Sequence, residues 1–148
     1  MDAQTQALLQ ATVREESRSF LQYIAESFPW TTDSERAPLA QFQKLSAEEQ
    51  EATAALSLFL ARARVLPPYL GPFPMSFTNL NYISLEHLLP MLVKEERATL
   101  AARQRDLAHV LDPEARAHLL QIIELKKQHL QALESMAAAH PETFSTVR

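Results

Sequence analysis

The sequence contains no cysteine and a single glycine in 148 residues. Without cysteine it has no disulfide, no thiolate metal site, no iron–sulfur cluster and no cysteine nucleophile. With one glycine, almost no residue can take positive φ cheaply, so tight hairpins and a β-rich fold are disfavoured. The same scarcity excludes phosphate loops, dinucleotide fingerprints and a Gly-x-Ser-x-Gly nucleophile elbow. Basic blocks are missing too: the formal net charge is −4 and the charges are interspersed. No nucleic-acid partner is expected, because nothing provides an electrostatic footprint for a phosphate backbone. Residues 1–10 lack the basic start and apolar run of a signal peptide, which makes the cytoplasm the expected location. Residues 66–85 are uncharged, but Pro67, Pro68, Pro72, Pro74, Asn79 and Asn81 interrupt them. No spanning helix would hold those residues in lipid, so no membrane segment is expected.

Helical periodicity is what the chain does have. Leu9, Val13, Phe20 and Ile24 predict a first helix over 4–28, ended by Pro29. A polar turn over 31–34 leads to a short helix over 35–44. Ser46 and Glu49, preceded by Leu45, have the spacing of a capping box. A second helix is therefore expected over 46–65, burying Ala52, Leu56, Phe59, Leu60 and Ala63 and stopped by Pro67 and Pro68. Ser84 is placed to cap a third helix, to about Val110, with Leu85, Leu89, Leu92, Leu100 and Leu107 on one face and Pro90 as a candidate kink. Asp112 and Pro113 are a cap and first-position pair for a fourth helix, to about Ala138. Its wide apolar arc, including Leu119, Leu120, Ile122, Ile123 and Leu133, offers a dimer interface.

The reading is a single all-α domain over 1–148, a four-helix bundle with a crossover at 66–83 and a flexible tail at 141–148. A stretch as long as 66–83 can reach up to roughly 60 Å, against roughly 38 Å for a helix of about 25 residues. It can traverse the bundle and set the third helix parallel to the second.

Wound at 100° per residue, Glu16 falls in the apolar stripe of the first helix, Glu96 and Arg103 in that of the third, and Lys126 in that of the fourth, with His129 at its edge. Two core glutamates from the first and third helices, with a long crossover between hairpins, resemble the ferritin-like superfamily, including rubrerythrin-like members. Di-iron members take a Glu-x-x-His motif from each of the other two helices. Here Leu56 and Phe59 are expected at those positions of the second helix, and Lys126 and His129 at those of the fourth. The resemblance thus implies at most Glu16, Glu96 and His129 as ligands of iron or manganese. The residues favour a metal-free bundle whose buried network, Glu16, Glu96, Arg103 and Lys126, pairs its own charges. Glu48, Glu49 and Glu51 read as an acidic first turn rather than a site. His129 reads as a core-edge or surface histidine, and His118 shares its face at roughly 16 Å, too far for the two to share one metal. His87, His109 and His140 read as surface or end residues.

Three functions follow: a binding or structural module that self-associates through the fourth helix or the crossover, a divergent metal-carboxylate oxidoreductase, or a carrier of an apolar ligand among Phe20, Phe59 and Leu92 or under the crossover.

Overall fold

The computed structural model describes residues 1–27, 33–80 and 83–139. The described residues are helical and contain no strand. In chain order the helices are α1 (Ala3–Ser17), α2 (Phe20–Glu26), α3 (Arg36–Arg62), α4 (Met75–Thr78), α5 (Leu85–Leu107) and α6 (Pro113–Ala138), with a 3₁₀ turn over Asp33–Glu35. The end of the expected first helix at Phe28, Pro29, Thr31 and Thr32 of the expected turn, His140 and the expected tail over 141–148 lie outside the described residues.

The first helix is two helices, not one. At Arg18 and Ser19 the backbone leaves the helical region, and Ser19 becomes the N-cap of α2, accepting a hydrogen bond from the Gln22 amide. A serine side chain offers the backbone this alternative to helix, and its hydroxyl gains more here by donating to the Glu49 carboxylate. The second correction concerns α3, which is continuous across Ser46. Ser46 and Glu49 therefore cap nothing: Ser46 donates to the Gln22 side chain and Glu49 points into the core.

Helix α3 also stops at Arg62 rather than Val65. Arg64 adopts φ 59°, the Val65 amide bonds the Leu60 carbonyl and the Arg64 amide bonds that of Ala61. This is a Schellman closure made without glycine, and Val65 is buried beside Leu60 to complete it. Ala63 is exposed, while Leu56, Phe59 and Leu60 are buried as expected. The one glycine, Gly71, has φ +66° in the crossover, and its carbonyl accepts from Arg18 Nε.

Helix α5 continues through Pro90 and ends at Leu107. Ser84 is its N-cap by backbone conformation but makes no side-chain cap; Glu35, from the turn before α3, accepts the Glu86 amide at 3.1 Å instead. Asp112 caps α6 as its sequence predicts, accepting the Ala115 amide at 2.8 Å. No helix among the described residues is long and apolar enough to cross a membrane.

Two apolar clusters fill the interior. One joins Phe20, Leu21 and Ile24 of α2, Phe42 and Leu45 of α3, Leu85 to Val93 of α5, and Leu133 and Ala137 of α6. The other joins Leu9 and Val13 of α1, Leu56 to Val65, Val110, and Ala115 to Ile123 of α6. The starts of α3 and α5 therefore share one end with the C-terminal part of α6. The start of α1 and the first turns of α6 share the other. Between the two clusters lies a layer of charge.

Candidate functional site

Helix α6 carries Lys126 into that layer, where it is 1% exposed. Three helices each send a carboxylate towards it. Its Nζ lies 2.7 Å from Glu16 Oε2 of α1, 3.6 Å from Glu96 Oε2 of α5 and 3.8 Å from Glu49 Oε2 of α3. All three glutamates are buried. One turn of α1 towards its start, Thr12 accepts from Arg103 of α5 at 2.6 Å. The same guanidinium pairs with Glu15, approaches Glu16 Oε1 at 3.5 Å and reaches Asp106 at 3.2 Å. On the next turn of α6, buried His129 places Nε2 2.9 Å from Glu48 Oε2, while its Nδ1 has no hydrogen-bond partner.

Three carboxylates in so dry a space raise one another's cost of ionisation. Burial, with the added repulsion of Glu96 and Glu16, pushes Glu49 up to about 7 against the opposing pull of Lys126 and Ser19. Burial likewise raises Glu96, with Lys126 opposing and Glu16 reinforcing. Burial alone would lower the Lys126 ammonium, but Glu16, Glu49 and Glu96 together hold it above the ordinary lysine range. Lys126 therefore stays charged, and Glu49 and Glu96 both hold protons more readily than ordinary carboxyls. Ser19 Oγ, 2.5 Å from Glu49 Oε1, supplies a donor that favours the ionised form. Around it, Gln22 bonds the Ser46 carbonyl at 2.9 Å and accepts from Gln50 at 2.7 Å, which fixes the α2–α3 contact.

Glu16, Glu96, Arg103 and Lys126 thus meet in one layer. Their sequence neighbours Glu15 and Glu95 are at the solvated margin. His129 is buried and hydrogen-bonded to Glu48. The α3 residue that reaches Lys126 is Glu49, not Leu56, and three residues on stands Ala52, not Phe59. The reason is register: α3 starts at Arg36, ten residues before the capping box at Ser46 that set the expected height. Leu56 and Phe59 belong to the apolar cluster beyond the charge layer. Glu48 and Glu49 are site residues rather than a first turn. A period count over one continuous helix, Phe42, Leu45, Glu49, Leu56, would have put Glu49 on the buried stripe. Of the other histidines, His87 is exposed against Ser84, His109 is exposed, and His118 is half-buried on the Phe59 ring.

The residues do not fit the two-metal site that the resemblance implies. Among the described residues no three His, Asp or Glu side chains are grouped to hold a metal ion. The two Glu-x-x-His positions read Glu49 with Ala52 and Lys126 with His129, and an ammonium stands where the glutamates converge. The chain matches no known family model, no curated protein and no solved structure.

Proposed function

We propose that this chain is a metal-free helical bundle of ferritin-like connectivity that acts as a binding or structural module, with Lys126 supplying the positive charge that a metal would otherwise bring to its core carboxylates. The observation that carries this reading is the 2.7–3.8 Å convergence of Glu16, Glu96 and Glu49 on one buried ammonium. The connectivity is supported by the shared end at which α3 and α5 begin, joined by the Glu35 bond to Glu86. A chain that leaves the far end of α3 and starts α5 at the near end must cross over. The expected setting is the cytoplasm.

Self-association on this reading uses the crossover more than α6. Leu119, Ile122, Ile123 and Leu133 of the α6 arc are spent in the core and Leu120 stays 45% exposed, while Leu66 and Tyr69 of the crossover are 79% and 87% exposed. A second copy across this face would make the chain a dimer in sedimentation equilibrium.

The alternative is a divergent iron- or manganese-binding oxidoreductase using Glu16, Glu96 and His129. The observation that bears on it is that Glu49 is a further buried carboxylate of the layer, 3.8 Å from the same ammonium. Elemental analysis of chelator-free protein before and after incubation with ferrous iron separates the readings. Metal at background levels is the expected result. About one or two ions per chain, lost in Glu16→Ala and Glu96→Ala, would overturn the metal-free bundle.

A further inference from the structure

A cleft of about 290 Å³ opens between the α1–α2 break, the crossover and α5. Its polar wall includes Ser19 and Glu96, both more than nine-tenths buried, and its apolar wall includes Phe20, Leu70, Pro72 and Phe77. Since a water molecule occupies about 30 Å³ of liquid, this is room for about ten non-hydrogen atoms. The cleft therefore reaches the charge layer directly: Glu96 belongs both to its wall and to the carboxylate cluster around Lys126.

Three features define what fits. Glu96 lines the cleft, and its Oε2 makes no hydrogen bond: it faces Lys126 Nζ at 3.6 Å, an ammonium shared with two other glutamates. The charged residues of the cleft are Arg14 and Arg18 against Glu15, Glu95 and Glu96, with Glu15 paired to Arg103. Arg18 is already committed, donating to the Gly71 carbonyl at 2.7 Å and lying over the Phe73 ring at 5.1 Å. That contact is a cation on an aromatic face, and Phe73 packs edge-on against Tyr23, which packs on Phe77 of the cleft wall. Phe77 and Phe20 pack at 5.0 Å, so the wall is rigid and aromatic.

We propose that this cleft binds a small organic cation, a primary ammonium bearing a short aromatic or aliphatic group, with Glu96 as its anionic contact and Phe20, Leu70 and Phe77 around the apolar part. The inference rests on the binding-module reading given above and names the ligand class of that module. A carboxylate ligand would be repelled by Glu96, and a neutral one would add no positive charge to that of Lys126, which Glu96 shares with two other glutamates. An ammonium supplies that charge. Burial, with Lys126 opposing and Glu16 reinforcing, raises the affinity of Glu96 for a proton, so a proton and an ammonium compete for it.

Isothermal titration calorimetry at pH 8 tests this with benzylammonium and n-butylammonium, using benzyl alcohol and benzoate as neutral and anionic counterparts. The ammonium ions should bind at one site, and benzyl alcohol and benzoate at least about tenfold more weakly, as a hydrogen bond to a charged group implies. Glu96→Gln should lose that preference while keeping its helical circular dichroism. Leu70→Trp, which fills the cleft without touching the charge layer, should abolish binding. Equal affinity for benzyl alcohol, unchanged binding in both variants, or no binding of either ammonium ion would overturn the proposal. Metal content measured on the same preparation keeps the two readings apart. Metal-loaded protein refutes the metal-free bundle whatever the amines do; metal-free protein that ignores amines refutes only the cleft assignment.

Discussion

Replacing Lys126 with methionine keeps the length of the side chain and removes the one cation that three buried carboxylates share. At an effective dielectric near 20, distances of 2.7, 3.6 and 3.8 Å correspond to about 15 kcal/mol of gross attraction. Desolvation of the four groups offsets most of this in the native protein. The variant limits its loss by binding a proton in place of the ammonium. At pH 7, protonating a carboxyl of ordinary pKa about 4.3 costs about 3.7 kcal/mol. The expected destabilisation is therefore about 3–5 kcal/mol, in line with breaking a buried pair and a large part of a domain's total of about 5–15 kcal/mol. The extra proton is held by the folded variant and released on unfolding above the ordinary carboxyl range. The variant's deficit thus grows by about 1.4 kcal/mol per pH unit as pH rises, and shrinks towards pH 5. Urea unfolding of both proteins at pH 5, 6, 7 and 8, followed by circular dichroism, measures it. A Lys126→Met midpoint equal to that of the native chain at pH 7, with a parallel pH profile, would mean that Lys126 does not neutralise these glutamates.

Glu49 gives the native protein its own pH dependence. Its carboxyl is pushed from 4.5 up to about 7, so the stability linked to it is complete below 4.5 and is lost as pH rises through about 7. Glu49→Gln fixes the neutral form, and its unfolding free energy should exceed that of the native chain by about 1–3 kcal/mol at pH 8 and match it near pH 4.5; equal slopes over that range would remove Glu49 from the cluster. Lys126→Glu places a carboxylate three residues before His129 and completes one Glu-x-x-His motif beside Glu16, Glu49 and Glu96. Without metal it should be less stable than Lys126→Met. Manganese or ferrous iron should raise its melting temperature in proportion to the logarithm of concentration while leaving the native chain unmoved. A folded Lys126→Glu protein indifferent to both ions would count against the ferritin-like arrangement of these side chains.

The helix starts at Leu85 and Pro113 were legible in the sequence from Ser84 and Asp112 before them. Asp112 and Pro113 set the start of α6 to the residue, because both act through local backbone geometry. The errors fall where tertiary contacts overrode local signals. Nothing local demands a break at Arg18 and Ser19; the break gains Glu49 as an acceptor, thirty positions along the chain. Ser46, Glu49 and a preceding leucine have every local mark of a helix start, yet α3 runs through them because Gln22 and Lys126 satisfy those side chains from elsewhere. The Schellman closure at Arg64 was hidden for a different reason: the usual glycine is absent, and burial of Val65 compensates for the left-handed arginine.

The candidate site was legible in its charges but not in its completeness. A charged residue inside an apolar stripe is visible by periodicity alone, and Glu16, Glu96, Arg103 and Lys126 were found that way. Glu49 was hidden in an acidic run whose exposed members, Glu51 among them, supply an ordinary surface explanation. The energetic cost of the layer argues that it serves more than cohesion. An apolar core of the same volume would stabilise the chain as well or better than buried ions. Instead the chain divides its apolar interior in two and spends the middle on three carboxylates and two cations drawn from α1, α3, α5 and α6. Each of those helices must hold its register to within a residue for the distances to be met, since a slip of one position turns a charge by 100° into apolar surroundings. The layer therefore specifies how the helices align. The same alignment brings Glu96 to an edge of the layer that opens as a cleft beside the crossover. Register and ligand contact are thus two consequences of a single carboxylate. Glu96→Gln should separate them, retaining the alignment that Glu16 and Glu49 still impose through Lys126 while losing the affinity for cations.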